Sequence, residues 1–200
     1  MLTNSDFSNA ASTLGIEPAA IKAFAQVESA GSGFDSEGHP KVLFERHVMY
    51  RRLKDKFGAM FAADKASKFP DLVNSAPGGY GKGSQQKLRI EAAAKIDREC
   101  ALESASWGAF QIMGLHWEAL GYPKLQDFIN AMYRSEADHL EAFVRFVKRD
   151  SALVRALKAK DWDCAARIYN GPSYKKNRYA EKMAAEYAEA VKSFSPAANA

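Results

Sequence analysis

No stretch of this 200-residue chain is apolar for long enough to cross a bilayer, which takes about 20 residues. The two cysteines, Cys100 and Cys164, are too few for a disulfide framework. Both fall in segments that read as helices, where a thiol packs as a small apolar group. The N-terminus, Met1-Leu2-Thr3-Asn4-Ser5-Asp6, has neither a basic start nor an apolar stretch. No secretory signal is therefore expected; the chain reads as made in a cytoplasm, with any export by another route. His39, His47, His116 and His139 lack the paired spacing of a zinc helix, so neither a metal nor a cofactor is expected. No Gly-x-Ser-x-Gly elbow is present, which removes the usual hydrolase nucleophile. The glycine-rich stretch from Gly78 to Ser84 lacks the four-residue gap of a phosphate loop and follows no buried strand, so it reads as a flexible connection. Strand-like alternation is almost absent, as are internal repeats.

What remains is helix after helix. Hydrophobic residues make up 47% and charged residues 26%, the balance of a globular protein. Pro18 opens a segment running to Ser29, at a first-turn position that suits proline. A short apolar run from Pro40 to Phe44 reads as one strand of a small hairpin. A helix is expected next, with Met49, Tyr50, Leu53 and Phe57 on one face. Ser84 begins a long helix through Leu88, Ala92, Ile96 and Cys100, and a compact segment from Ser104 to Gly114 follows. Leu140, Phe143, Val144 and Val147 form an amphipathic stripe, as do Met183, Tyr187, Val191 and Phe194. The expected class is mainly α with at most a small β-hairpin, in a single domain over 1–194. Residues 195–200 read as a loose tail or a point of truncation.

Glu28 stands out. It falls on the same helical stripe as Ile21 and Phe24, which should face the core, at the negative end of the helix. Desolvation and the helix dipole both disfavour its charged form. A carboxyl group that keeps its proton near neutrality suits glycosidic cleavage, where the leaving oxygen must be protonated. A glutamate whose head snorkels into water at a frayed helix end is the competing reading.

Three stretches, in order, resemble goose-type lysozymes and lytic transglycosylases. They are Val27-Glu28-Ser29, Gly108-Ala109-Phe110-Gln111-Ile112-Met113 and Ile168-Tyr169-Asn170-Gly171. A closer resemblance, from about Ile16 to Tyr187, is to the N-acetylmuramidase domain of bacteriophage endolysins. It is carried by Val27 to Phe34, Pro40 to His47, Ser104-Ala105-Ser106-Trp107-Gly108 and Tyr169 to Tyr174, with Asn177 and Tyr179 just after. Ala109-Phe110 and Gly171-Pro172 depart from the wider pattern of Leu-Met and Ala-Gly, which bears on subsite shape more than on the acid.

The resemblance implies a lysozyme-like helical fold and hydrolysis of the β-1,4 bond after N-acetylmuramic acid in peptidoglycan, leading to bacterial lysis. It also implies accumulation in the host cytoplasm and action on the wall after release. Residue by residue, it implies Glu28 as general acid, with Ser29 supporting it by hydrogen bonding. Gln111 and the backbone around Phe110 and Ile112 would line the groove, beside Ser106. Tyr169 and Asn170 would contact sugar or hold Glu28, and Tyr179 could stack on a pyranose. Core packing is the alternative for Tyr169, Tyr179 and Trp107.

A second carboxylate is less legible. Asp35, Glu37, Glu45, Asp97, Glu99 and Glu103 are candidates; Glu45 and Glu103 are taken as site members, and no covalent partner is expected. The partner is peptidoglycan, with no nucleic acid, no membrane insertion and a monomeric chain. Within the enzyme class the alternative is a lytic transglycosylase. Outside it stand a cell-wall-binding module and a nucleic-acid-binding helical module, the latter suggested by a net charge of +4. Interspersed acidic residues, as in Lys54-Asp55-Lys56, argue against the latter.

Overall fold

The computed structural model describes residues 1–29, 31–171 and 174–195, with the Lys176 side chain excepted. The chain divides into two compact units, Met1–Ser32 with Glu136–Ala200, and Gly33–Ser135. Helix α1 (Asn4–Leu14) begins at a capping box in which Thr3 and Asp6 satisfy each other's backbone N–H groups. Helix α2 (Pro18–Glu28) starts on proline and buries Ala19, Ala20, Ile21, Ala23, Phe24 and Ala25. Its small residues allow close helix packing on that face.

The second unit carries strand β1 (Val42–Phe44), helices α3 (Arg46–Phe57), α4 (Ala59–Lys68), α5 (Gln86–Ala94) and α6 (Arg98–Glu103), strands β2 (Ala105–Trp107) and β3 (Ile112–Met113), and helix α7 (Leu125–Arg134). The three strands form one antiparallel sheet in the order β1-β2-β3, with Leu43 opposite Ser106 and Ser106 opposite Met113. The mainly-α class holds, and the small hairpin is a β2–β3 pair extended by β1.

The chain then returns to the first unit with α8 (Glu136–Lys148), α9 (Ser151–Ala159), α10 (Trp162–Asn170) and α11 (Tyr179–Phe194). Helix α11 lies along α2, and α1 packs on both α2 and α8. The stripe of Leu140, Phe143, Val144 and Val147 is fully buried, as its spacing predicts. Phe24, Phe143 and Tyr169 bring α2, α8 and α10 together, with ring centroids 5.2–6.0 Å apart. Such pairs add about 0.5–1.5 kcal/mol beyond their area burial.

The structure departs from the periodicity in three helical stretches. The helix expected from Ser84 through Cys100 is two helices. Asp97 adopts an extended conformation and its carboxylate accepts the Cys100 N–H at 2.8 Å, starting α6 afresh. The buried face of α5 is accordingly Ile90 and Ala93, while Leu88 is 64% exposed. In α11 the buried positions are Met183 and Ala190, and Val191 faces solvent. Similarly, Phe57 at the end of α3 is exposed although Met49 and Leu53 are buried. Of the tail expected over 195–200, all but Ser195 lies outside the described residues. No helix among the described residues is long and apolar enough to cross a membrane.

Candidate active site

Glu28 is the last residue of α2, and Ser29 turns the chain out of the helix. The side chain is half-buried, and its Oε1 accepts a hydrogen bond of 2.9 Å from Asn170 Nδ2. Asn170 closes α10, where Gly171 at φ +71° ends the helix. Two helix C-termini thus bring an acid and an amide into contact within one unit. Burial pushes the Glu28 carboxyl above its ordinary value of 4.5, while the Asn170 hydrogen bond partly opposes that shift by favouring the carboxylate. The C-terminal end of the α2 dipole acts in the same direction as burial. A carboxyl group so held can keep a proton and deliver it to an oxygen.

Behind Asn170, Tyr169 is set edge-on against Phe24, Phe143 and Phe146. Burial, and then the nearby charges of Glu28 and Tyr179, hold its phenol protonated well above the ordinary tyrosine range. Tyr169 therefore fixes the end of α10 by packing and stays neutral. Tyr179 opens α11, half-buried, with Lys182 Nζ 5.6 Å from its ring centre. The Ser29 hydroxyl donates to the Gln26 carbonyl at 3.3 Å, so it stabilises the helix end and makes no bond to Glu28.

In the second unit, the turn between β2 and β3 holds the other expected residues. Gln111 adopts a left-handed backbone at φ +49°, which for a non-glycine residue costs about 1–3 kcal/mol unless neighbours fix it. They do: Ser106 Oγ donates to Gln111 Oε1 at 2.8 Å, and Gln111 Nε2 donates to the carbonyls of Gly108 and Lys41 at 2.9 and 3.4 Å. Phe110 and Ile112 bury their side chains, leaving backbone as what this turn offers beside Gln111. Gly114 is required where the turn meets α6, because a Cβ there would fall 2.1 Å from the Leu102 carbonyl oxygen.

A family model for N-acetylmuramidases matches residues 17–191, nearly the whole chain. The chain belongs to the N-acetylmuramidase family. Among solved structures, the crystal structure of Burkholderia AP3 phage endolysin matches this muramidase with 45% sequence identity and a TM-score of 0.89, covering 96% of this chain and 72% of that one. No curated protein matches. The muramidase is a peptidoglycan-cleaving glycoside hydrolase of the phage endolysin type.

The muramidase's other candidate carboxylates all lie in the second unit and are engaged there. Glu103 is 3% exposed; its Oε2 meets Arg52 Nε at 2.6 Å and its Oε1 accepts Trp117 Nε1 at 3.1 Å. Glu45 precedes α3, and its carboxylate lies 3.4 Å from His47 Nδ1. Asp35 builds a turn by accepting the N–H groups of Glu37 and His39, both at 2.9 Å, and these bonds hold its pKa below the ordinary range. Asp97 and Glu99 share Lys56, and Glu37 is surface-exposed beside His39. Trp107 is buried and donates to the Leu102 carbonyl, as a core residue does. Among the described residues no group of three His, Cys, Asp or Glu side chains gathers at one point. Cys100 is buried, and its thiol is pushed up to about 12 by burial and then by Asp97.

Sequence reasoning missed Arg52 and Trp117, which hold Glu103, and the Phe143–Phe146 support behind Tyr169. No local pattern links residues so far apart in the chain. The strain at Gln111 was equally hidden, since glutamine carries no preference for a left-handed backbone.

Proposed function

We propose that this muramidase hydrolyses the β-1,4 bond between N-acetylmuramic acid and N-acetylglucosamine, with Glu28 as general acid. The observation that carries the reading is a half-buried carboxyl whose proton affinity is raised by burial and whose one hydrogen-bond partner among the described residues is Asn170. Glu28 gives its proton to the glycosidic oxygen as the bond from that oxygen to C1 of N-acetylmuramic acid breaks. Water then adds at C1 and returns a proton, leaving a reducible sugar end.

No protein nucleophile takes part. In support, three carboxylates of the same unit are otherwise occupied: Glu17 with Lys160 and Tyr187, Asp163 with the Tyr174 hydroxyl, and Asp161 as the cap of α10. Asn170 is a positioning residue for the acid, and Tyr169 holds Asn170 in turn. Ser29 steadies the end of α2. Gln111, the backbone near Phe110 and the ring of Tyr179 contact the glycan. Ser106, Glu45 and Glu103 support substrate binding by holding the β2–β3 turn, the start of α3 and the end of α6 in shape. Residues 1–194 act as one catalytic domain, in line with a family match that runs across both units. The chain is a monomer that accumulates in the host cytoplasm and reaches the wall on release.

Glu28→Gln tests the reading. The substitution keeps shape and hydrogen bonding but carries no transferable proton, so peptidoglycan lysis should fall by about 10²–10⁴-fold. Circular dichroism should show an unchanged fold. A folded Glu28→Gln protein that clears cell wall at the wild-type rate would overturn the assignment.

A further inference from the structure

Away from Glu28, the second unit contains two arginines in an unusual setting. Arg46 is the first residue of α3 and Arg89 lies in α5. Between them in sequence runs the glycine-rich stretch that a phosphate-loop reading did not fit. The structure gives that stretch a definite anchorage. Gln86 is 2% exposed; its Oε1 accepts the Phe44 N–H of β1 at 2.9 Å, and its Nε2 donates to the carbonyls of Tyr80 and Lys82. One buried amide thus ties the loop to the sheet.

The loop lies directly on both guanidinium groups. Gly79 has φ +67°, and a Cβ there would fall 2.6 Å from Arg46 Cζ. Gly81 has φ +70°, and a Cβ there would sit 3.4 Å from Arg89 Nη1. At Gly79 an added side chain would collide with the Arg46 guanidinium, whereas at Gly81 it would press first on Gln85 Oε1, 3.1 Å away, and only touch Arg89. From the other side, Arg46 Nη1 donates to the Pro70 carbonyl at 3.4 Å and Arg89 Nη2 to the Asp71 carbonyl at 2.6 Å. Arg89 also lies over the Phe44 ring, 5.7 Å from its centre.

The two groups are underpaired. A guanidinium has five N–H donors, and each of these spends one on a backbone carbonyl. Both Nε atoms are buried, with no hydrogen-bond partner among the described residues. Among the described residues no carboxylate forms an ion pair with either, whereas Arg52, Arg145 and Arg178 each have one in Glu103, Glu141 and Glu181. Asp71 is near enough to favour the charge on Arg89. Burial and the like charge of Arg46 outweigh it, so the proton affinity of Arg89 falls below its ordinary value. The charge of Arg46 is near enough to be felt at Arg89, and an anion shared by the two would relieve both.

We propose that Arg46, Arg89 and the glycine loop from Gly78 to Gly81 bind a single oxyanion group, carboxylate or phosphate. On the wall that group is a carboxylate of the peptidoglycan stem peptide. The stem-peptide source rests on the muramidase reading; the oxyanion chemistry does not. Guanidinium forks recognise such groups by paired, charge-assisted hydrogen bonds. The site then reads the peptide borne by the glycan, a task distinct from bond cleavage.

Isothermal titration of the 200-residue chain separates these claims. The probes are inorganic phosphate, muramyl dipeptide and neutral N-acetylglucosamine, with sodium chloride at matched ionic strength as the control. The proposal predicts saturable binding of phosphate and muramyl dipeptide, weakened at least tenfold in Arg89→Gln and only partly restored in Arg89→Lys, which keeps charge but not the fork. N-Acetylglucosamine binding should not change in either variant. Arg46→Gln should weaken both anions as well; if it does not fold, Arg89→Gln still decides. Phosphate binding that depends on Arg89, without muramyl dipeptide binding that does, overturns the stem-peptide source and supports the oxyanion site. Absence of phosphate binding beyond chloride, or binding undiminished in Arg89→Gln, overturns the site. Glu28→Gln should bind phosphate as wild type does, so failure of the catalytic assignment leaves this test intact.

Discussion

At the scale of single residues, the proposed mechanism depends on how Glu28 and Asn170 divide one proton's affinity. Burial favours the protonated acid, and the amide N–H of Asn170 favours the carboxylate. Removing the amide in Asn170→Ala should move the alkaline limb of the pH–activity profile to higher pH, with a loss of rate from the less oriented acid. A limb that stays in place or moves to lower pH would contradict the arrangement. Stability follows with a defined sign. The folded state holds the Glu28 proton more tightly than the unfolded chain, whose value is near 4.5. This contribution is therefore complete below that pH and is lost as pH rises through the folded value. Glu28→Gln should accordingly melt at or above the wild-type temperature at neutral pH, and the difference should shrink in acid. The half-buried position of Glu28 was legible in the sequence because a charged residue on an apolar helical stripe is a local signal. The Asn170 contact spans most of the chain and was legible only through family resemblance.

At the scale of elements, caps and close approaches decide where helices begin and how the sheet is seated. Asp97 ends what periodicity reads as one long helix, and it also meets Lys56 Nζ at 3.0 Å. Asp97→Ala should cost about 1 kcal/mol, the usual value of an N-cap, read as a lower midpoint in urea. Gly114→Ala should cost more, about 1–3 kcal/mol, because the added methyl meets the Leu102 backbone and not a yielding side chain. A variant as stable as wild type would mean the β3 region can shift away from α6. Periodicity revealed α2 and α8 because one face of each is buried throughout. It misread α5 because a capping carboxylate overrides the apolar spacing from Leu88 to Cys100. It read α11 correctly only at Met183: Ala190, and not Val191, is the other buried position. Strand β1 was visible as an apolar run, but β2 and β3 are so short that their pairing, and the Ser106–Gln111 lock beside it, emerge only in three dimensions.

At the scale of the whole molecule, a net charge of +4 meets an anionic polymer. Attraction of this kind is screened over about 8 Å at physiological salt. Lysis of whole cell wall should fall as salt rises, and cleavage of a short neutral oligosaccharide should fall much less. Equal salt sensitivity would remove charge from the account of wall targeting. Reaction type is the remaining whole-molecule property, because an acid such as Glu28 serves equally well whether water or the sugar's own C6 hydroxyl attacks C1. The most direct measurement is mass spectrometry of the fragments released from purified peptidoglycan by the wild-type chain. Hydrolysis predicts fragments ending in N-acetylmuramic acid that borohydride reduces, and their disappearance with Glu28→Gln. Fragments ending predominantly in 1,6-anhydro sugar, each lighter by one water and resistant to reduction, would contradict hydrolysis.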